Sequence, residues 1–310
     1  MTSPSSTRRQ FLKSATGAAV ALAAGSAAVG ALAERPVVVD AHLHCFAGKD
    51  DARFPYHARA PYRPEAAATP QQLLACMEGA GVNYAVVVHP EPYQDDHRYL
   101  EHCLEVGKGR LKGTCLVFAD RPGSTAQLPG LVKKGGIVAV RIHAYAPERL
   151  PPFGKPELRA LWKQASDLGL ALQLHLEPRY APGFEPLIKE FAETKVIIDH
   201  LGRPFQGTPD EHAVVIRWAR YPNTRMKLSA IPTAKEYPRR DITPVIRQLT
   251  DAFGADRLLY GGGFQAGATA ASYREARERV QSYIAHLSAA DQAKVLGGTA
   301  ARLFGFRSTV

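Results

Sequence analysis

Six of the eleven histidines in this chain lie at or just beyond the C-terminal end of a predicted β-strand. The imidazole changes its charge near neutral pH, and its neutral form is a common metal ligand. Histidines that meet in one place therefore predict metal binding or proton transfer. The six are His42, His44, His89, His143, His175 and His200.

Spacing places several of these side chains on shared strand faces. Side chains alternate across a strand, so Asp40, His42 and His44 are predicted to share one face, as are Arg141 and His143. One His-x-His pair on an inward face supplies two imidazoles to a single metal ion. We therefore expect the first strand to carry the centre of a site.

The elements that must position these residues repeat along the chain. Short β-branched runs alternate with longer amphipathic segments, which is typical of parallel sheets built from strand–helix units. Eight such units close into a barrel more readily than they form an open sheet, and the length of segment 34–310 suits a barrel of roughly 250 residues. We predict an α/β fold, a single-domain (β/α)8 TIM barrel. The predicted strands are 37–41, 84–89, 111–118, 137–143, 170–175, 196–200, 224–228 and 257–260.

The predicted helices lie between these strands. In a TIM barrel the active site lies at the C-terminal ends of the strands, so the six imidazoles are expected to converge there. The proline-rich loop 46–69 should lie over the same face. The remaining histidines, in this loop or on helices, are predicted to be exposed. The predicted helices are 70–80, 95–106, 126–134, 156–168, 184–193, 210–220, 243–253, 272–287 and 289–296.

Residues 1–33 have the pattern of a twin-arginine signal peptide. Arg8 and Arg9 precede an alanine- and glycine-rich stretch, and small residues follow up to Ala33, where cleavage is expected. The stretch is too weakly apolar for a membrane span of about 20 residues, so we expect no stable membrane span after processing. The pattern predicts export of a folded protein to the periplasm.

The net charge of the chain limits the classes of partner that it is expected to bind. The formal net charge is +10, and removal of Arg8, Arg9 and Lys13 with the leader leaves 36 basic against 29 acidic residues, or +7. No basic run stands out, so we predict no nucleic-acid partner and a small-molecule substrate, with anionic compounds favoured. Nothing in the pattern specifies an oligomeric state.

Several segments resemble one known family. Together they cover residues 36–306 and are similar to the amidohydrolase-related (amidohydrolase 2) family of TIM-barrel hydrolases, most of all to its branch of 2-pyrone-4,6-dicarboxylate lactonases and sugar lactonases. The first-strand and sixth-strand segments are the most specific. The main segments are Val39-Asp40-Ala41-His42-Leu43-His44, Val140-Arg141-Ile142-His143, Leu174-His175 and Asp199-His200-Leu201-Gly202-Arg203-Pro204.

One departure from the family pattern affects the chemistry. The family carries an aspartate after the eighth strand as general base and frequent metal ligand, and this sequence has Gly263 there. Loss of a positioned base typically slows hydrolysis by about 10²–10⁴-fold. Glu177, two residues beyond His175, and Glu91, two beyond His89, are candidate replacements. Alternatively, glycines 261–263 open the space that the aspartate filled or present backbone N–H groups to an anion.

The resemblance implies hydrolysis of a lactone or other cyclic carbonyl compound, with a carboxylate on the substrate. His42, His44 and His175 would hold one divalent ion, Zn²⁺ or Mn²⁺. In the metal-independent alternative the histidines polarise the carbonyl directly. The implied catalytic residues are His175, His200 and Glu177, and the implied substrate-binding residues are Arg141, His143, Lys227, Arg203 and His89.

Two other functions fit the same residues. A protein that has lost its aspartate could serve as a non-catalytic periplasmic binding or accessory protein with the histidines retained. A decarboxylase or isomerase on the same barrel is the other alternative. Metal content, turnover of lactones and the effect of Gly263→Asp distinguish these functions.

Overall fold

The structure is a computed structural model that describes residues 36–307. The predicted signal peptide 1–33 lies outside the described residues. Within them, eight parallel strands form one sheet surrounded by helices, and all eight predicted strands are present. The strands are β1 (Val39–Leu43), β2 (Tyr84–Val88), β3 (Leu111–Leu116), β4 (Ile137–Ala144), β5 (Ala171–Leu176), β6 (Val196–Ile198), β7 (Thr224–Leu228) and β8 (Leu258–Tyr260).

Each strand pairs with the next one in chain order, from β1 to β8. This order, with a helix after each strand, is that of the (β/α)8 barrel predicted from the sequence. Both faces of such a sheet are covered, so its strands are largely buried along their whole length rather than at alternate residues. All five residues of β2, Tyr84–Val88, are buried.

No backbone ladder joins β8 to β1 in residues 36–307. Hydrogen bonds of the Asp40 side chain connect these two strands instead. The Gly262 N–H donates to Oδ1 of Asp40 at 2.8 Å, and the Tyr273 hydroxyl donates to Oδ2 of Asp40 at 2.7 Å. A Cβ at Gly261 would lie 2.8 Å from the Cβ of His42. Only glycine allows the strand ends to approach so closely.

Most helices begin where the sequence predicts them. Thr69 caps the first helix, its hydroxyl accepting from the Gln72 N–H, and Gly81 ends it in the left-handed conformation. The helices are α1 (Pro70–Ala80), α2 (Arg98–Gly107), α3 (Pro122–Thr125), α4 (Leu128–Lys134), α5 (Pro156–Asp167), α6 (Glu185–Glu190), α7 (Pro209–Arg217), α8 (Thr243–Phe253), α9 (Ala270–Tyr283), α10 (Ala289–Ala293) and α11 (Thr299–Phe304). The sequence pattern does not predict the short α11.

The core has two groups of buried side chains. The larger includes the fully buried Trp162 and Trp218 of the helical layer, and the smaller includes Val86 and Ile197 of the strands together with Phe304 of α11. In the described part of the chain, no helix combines the length and apolarity needed to cross a bilayer.

Strand β1 differs from its prediction in register. It runs two residues later than 37–41, and its pairing with β2 is irregular between Asp40 and Leu43. Asp40 contacts Tyr273 of α9, whereas His42 and His44 contact each other with ring centroids 5.1 Å apart. The prediction that Asp40 shares their face is therefore wrong, because the irregularity shifts the alternation.

Candidate active site

Imidazoles from four strands meet at the C-terminal end of the barrel. Ring centroids are 4.5 Å apart for His42 and His200, 5.2 Å for His175 and His200, and 5.0 Å for His143 and His175. His44 joins this group through His42. The predicted convergence of rings from the first, fifth and sixth strands is confirmed by this geometry.

A strained turn positions His200. Strand β6 ends at Ile198, and four consecutive residues from His200 to Arg203 have positive φ, between 54° and 69°. Left-handed backbone is costly for side chains other than glycine and is often kept at functional sites. Nδ1 of His200 lies 3.0 Å from the Ser229 hydroxyl, which fixes the ring against the end of β7.

Asp199 is a site residue that sequence reasoning missed. Its fully buried carboxylate accepts at Oδ2 from Nε of Arg141 at 3.0 Å and from the Gln173 amide at 3.0 Å. The Lys227 ammonium lies 3.3 Å from its Oδ1. Burial acts to raise the pKa of Asp199, but neighbouring charges, Lys227 foremost, hold the pKa well below its ordinary value. Asp199 is therefore an anion.

Lys227 is buried beneath the imidazoles rather than exposed to a cavity. Besides Asp199, its Nζ lies 3.3 Å from Nδ1 of His42. Burial lowers the pKa of Lys227 to about 8, against the charge of Asp199. The side chain is thus mainly an ammonium at neutral pH, and it contacts His42 instead of the predicted substrate.

The imidazoles are neutral at pH 7. Burial lowers the pKa of His44 to about 4 and that of His200 to about 3, and it lowers those of His42 and His175 well below the ordinary value. A neutral imidazole has one N–H donor and one lone pair. Both ring nitrogens of His175 and Nε2 of His42 have no partner among the described residues. These atoms are free to bind a ligand.

The charges around the candidate donors argue against a divalent ion. Ligand atoms of His42, Asp199 and His200 lie within 4.8 Å of one another. Among the described residues, the predicted set of His42, His44 and His175 does not have this close spacing. The Lys227 ammonium, however, already lies against both His42 and Asp199. A divalent ion on Asp199 would face this cation and Arg141 at short range. With Lys227 charged, the set does not fit a metal ion.

A cavity of about 470 Å³ opens onto the imidazoles, and we call it the mouth cavity. Arg203 is half-buried in its wall, stacks over the Tyr145 ring at 5.6 Å and has no carboxylate within ion-pair distance in residues 36–307. Arg141 is different, because its Nε and Nη2 both bind Asp199, which leaves Nη1 as its donor nitrogen towards the cavity. The mouth cavity is lined by His44, Tyr62, Glu91, Arg141, Tyr145, Arg149, His175, His200, Arg203 and Glu236, among others.

Glu91 is a buried carboxylate in the same wall. It accepts from the Tyr145 hydroxyl and from Nη1 of Arg149, and Nδ1 of His143 lies 3.0 Å from Oε1. Burial acts to raise the pKa of Glu91, but His143, Tyr145 and Arg149 lower it to about 2. A neighbouring cavity of about 270 Å³ shares Glu91 with the mouth cavity and is also lined by His143.

A third cavity of about 340 Å³, the seam cavity, lies beside the end of β8 and is lined by His42, His44, His200 and residues 261–263. A Cβ at Gly263 would lie 2.6 Å from the Cβ of Ala276 on α9, whereas at Gly262 the nearest atoms would be 3.9 Å away. The seam cavity is open space beside glycines 261–263, although a Cβ at Gly263 would meet Ala276 rather than enter it freely. The Gly262 N–H donates to the Asp40 carboxylate and is therefore not available to a bound anion.

Other predicted residues lie away from the mouth cavity. The His89 ring packs against His97 with centroids 4.5 Å apart and donates from Nε2 to the Gln94 carbonyl. The Glu177 carboxylate lies 2.7 Å from Nη2 of Arg179 and does not line the mouth cavity. Their predicted roles gain no support from this geometry.

Two histidines outside the strand ends are buried, so their predicted exposure is wrong. His97 accepts at Nε2 from the Leu116 N–H, and His212 donates from Nε2 to the Leu201 carbonyl. Both rings satisfy backbone groups that burial would leave without partners.

This chain belongs to the amidohydrolase family, whose pattern matches residues 39–306, and the predicted family is confirmed. L-fucono-1,5-lactonase of Burkholderia ambifaria is 29% identical over 240 residues, 72% of this chain and 78% of that protein. 4-Sulfomuconolactone hydrolase of Rhizobium radiobacter is 29% identical over 234 residues, 72% and 73% of the two chains. The crystal structure of a probable 2-pyrone-4,6-dicarboxylic acid hydrolase from Acinetobacter baumannii, with citric acid bound, matches with a TM-score of 0.70 at 20% identity and covers 87% of this chain and 99% of that one.

Proposed function

We propose that this protein is a hydrolase that opens a lactone, or a related cyclic ester, carrying an anionic group. The observation that carries the proposal is the position of the half-buried, unpaired Arg203 in the same wall as neutral imidazoles with unpartnered nitrogens. Imidazole N–H groups stabilise the oxyanion that forms when water attacks an ester carbonyl. Relatives named as lactonases and as a hydrolase of a sulfonated lactone support the same reaction class.

Arg203 is proposed to bind the anionic group of the substrate. Burial lowers the pKa of its guanidinium, which indicates that the group lacks full hydration and gains from an anionic partner. The planar guanidinium binds a carboxylate with two parallel hydrogen bonds. The other arginines of the mouth cavity are already engaged, Arg141 by Asp199 and Arg149 by Glu91.

A pair of substrates tests this assignment. We expect the wild type to hydrolyse a δ-lactone carboxylate better than the matching carboxamide. Arg203→Met should raise KM for the carboxylate by about 10–100-fold, the loss of a charge-assisted hydrogen bond, and leave the carboxamide within about threefold. Arg179→Met is the matched control, because its guanidinium pairs with Glu177 at the same rim.

Two results would argue against the proposal. Equal losses for both substrates in Arg203→Met would remove Arg203 as the anion site. If the wild type turns over none of a panel of γ- and δ-lactones but binds one of them in calorimetry, the non-catalytic binding protein becomes the better description.

Of the two cofactor alternatives, we propose the metal-independent one. The positive charges of Lys227 and Arg141, both paired with Asp199, support this proposal, because they repel Zn²⁺ or Mn²⁺ from the candidate donor atoms. Catalysis then relies on the N–H groups and lone pairs of the imidazoles. Activity that survives prolonged chelation is the expected result.

We also propose that the protein is exported to the periplasm by the twin-arginine pathway. The support is the sequence around Arg8 and Arg9 and the small residues before Ala33. Cell fractionation and N-terminal sequencing should find mature protein beginning at residue 34 in the periplasm, and replacement of both arginines by lysine should retain the precursor in the cytoplasm.

A further inference from the structure

The described residues that line the mouth and seam cavities include two carboxylates, Glu91 and Glu236, and both accept hydrogen bonds. Glu91 accepts from Tyr145 and Arg149, and Oε2 of the exposed Glu236 accepts from the Thr233 N–H at 2.9 Å. The seam cavity has no acidic residue in its lining. The imidazoles are the buried proton acceptors that these linings offer in place of the missing aspartate.

The tautomer of His44 follows from its backbone partner. Nδ1 of His44 lies 2.7 Å from the Val88 carbonyl oxygen. A carbonyl oxygen only accepts, so Nδ1 carries the proton of the neutral ring and Nε2 has the lone pair. His44 lines both the mouth and the seam cavity. It therefore brings a proton acceptor to the point where the two cavities meet.

His42 lies between two charged groups with opposite effects on its ring. Nζ of Lys227 lies 3.3 Å from Nδ1 of His42, and Oδ1 of Asp199 lies 3.3 Å from the same Nδ1. The ammonium favours a lone pair on Nδ1 and the carboxylate favours a proton there, so His42 has no single partner that sets its tautomer. Its Nε2 has no partner among the described side chains and backbone groups. Of the two rings, only His44 therefore has its lone pair assigned by a backbone contact.

We infer that Val88 holds His44 in the tautomer whose Nε2 has the lone pair, so that His44 acts as the general base in place of the carboxylate missing after β8. The neighbouring His42 brings its unpartnered Nε2 to the same place. The two rings are nearly perpendicular, at 84°, with centroids 5.1 Å apart, so both can approach one ester group. The inference rests on the proposed function and identifies the base that the proposed reaction requires.

The reaction balances with water as the only co-reactant. Nε2 of His44 takes a proton from water as the water oxygen bonds to the carbonyl carbon, and the new oxyanion accepts from an N–H of the neighbouring imidazoles. Collapse of the tetrahedral intermediate reforms the carbonyl and breaks the ring C–O bond. The proton passes from His44 to the departing alkoxide oxygen, and the product is a hydroxy acid.

Replacement of His44 tests the base directly. Asparagine keeps an amide N–H close to the position of Nδ1, so it can still donate to Val88, but it has no atom at the position of Nε2. We expect His44→Asn to lower kcat by about 10²–10⁴-fold with KM within about threefold, and added imidazole to restore part of the rate. His102→Asn, on α2 away from the cavities, is the control. Unchanged kcat in His44→Asn would overturn the inference.

Nitrogen-15 NMR of the wild type gives a readout that is independent of turnover and of any substitution. We expect the His44 proton on Nδ1. A proton on Nε2 of His44 would overturn the inference even if lactones are hydrolysed. The expected tautomer without turnover of any lactone would instead count against the proposed function, and the base role would fall with it.

Discussion

Asp199 decides the charge state of the whole site. Its carboxylate compensates two buried cations, Arg141 and Lys227, from strands on either side of it. The sequence contained an indication of the role of Asp199. Arg141 and Lys227 both lie in the C-terminal halves of predicted strands, and two buried cations there need an anion nearby. The adjacent Asp199 in the sixth-strand segment is the acid that meets this need.

Removal of the Lys227 charge should create a metal site. With methionine at 227, the donors of His42, Asp199 and His200 no longer face an ammonium, so we expect Lys227→Met to bind about one Zn²⁺ per chain. The wild type and the charge-conserving Lys227→Arg should both hold below about 0.1 ion per chain by mass spectrometry after exposure to Zn²⁺.

A wild-type measurement keeps this prediction independent of how well the variants fold. Chelation should leave the Tm of the wild type unchanged, because nothing that binds the folded state is removed. If the purified wild type contains one metal ion per chain and its Tm falls on chelation, the Lys227 ammonium does not exclude a metal.

Glu91 should make the stability depend on acid pH. Its pKa in the folded protein is about 2 against an ordinary value of 4.5, so its ionised form stabilises fully above about pH 4.5 and this contribution is lost as pH falls towards 2. The difference in free energy of unfolding between wild type and Glu91→Gln should be about 1 kcal/mol smaller at pH 3.5 than at pH 7 in urea titrations. A difference that is constant with pH would show that Glu91 is not ionised against His143 and Arg149.

At the level of elements, the backbone of the turn after β8 differs in conformation from one that would hold the family's aspartate, so more than one side chain separates this protein from the family pattern. Gly262 and Gly263 have φ of 105° and 114°, which side chains rarely adopt, and Gly263 faces α9 rather than the mouth cavity. The backbone itself is arranged for glycine at this point. An aspartate cannot simply be returned to it.

Gly263→Asp should therefore destabilise the protein without a gain in hydrolysis. The new Cβ would meet Ala276 at 2.6 Å, and the expected loss in free energy of unfolding is about 2–4 kcal/mol. Gly263→Ala should lose a similar amount, since the clash and strain begin at Cβ. A large rise in lactone hydrolysis with Gly263→Asp would show that the turn rearranges and that only the base was missing.

For the whole molecule, the closure of the barrel depends on one buried carboxylate. Asp40 joins β1 to the backbone after β8 and to α9 where no ladder connects the strands. Burial raises the pKa of Asp40 to about 6, against the hydrogen bonds that favour its ionised form. The same junction brings His42 against Gly261, so closure and site geometry are coupled.

Tyr273→Phe should weaken this closure. It leaves Oδ2 of Asp40 without its donor, at an expected cost of about 1–3 kcal/mol in the free energy of unfolding. Tyr260→Phe is the matched control, because its hydroxyl donates to the neutral Gly262 carbonyl at the same junction and should cost about 1 kcal/mol or less. Equal costs in urea unfolding would mean that the charge of Asp40 has no part in closing the barrel.

Sequence patterns alone were enough to predict the eight strands, their order and the end of the barrel at which His42, His175 and His200 meet. These features depend on local patterns, since apolar runs, caps and turns act over a few neighbouring residues. The family segments are equally local. The family, the barrel and the group of imidazoles could therefore be predicted from the sequence alone.

The role of each side chain there depends on contacts that form only in the folded barrel. The contacts that set the chemistry join residues far apart in the chain: His44 with Val88, His42 with Lys227, and Asp40 with Gly262. An irregularity in β1 shifted Asp40 away from the histidines, and the turn after β8 directed residue 263 outward. Alternation rules assume a regular strand, so they could not predict either. Hydrogen-bond partners fix protonation states, and these partners exist only once the barrel has closed.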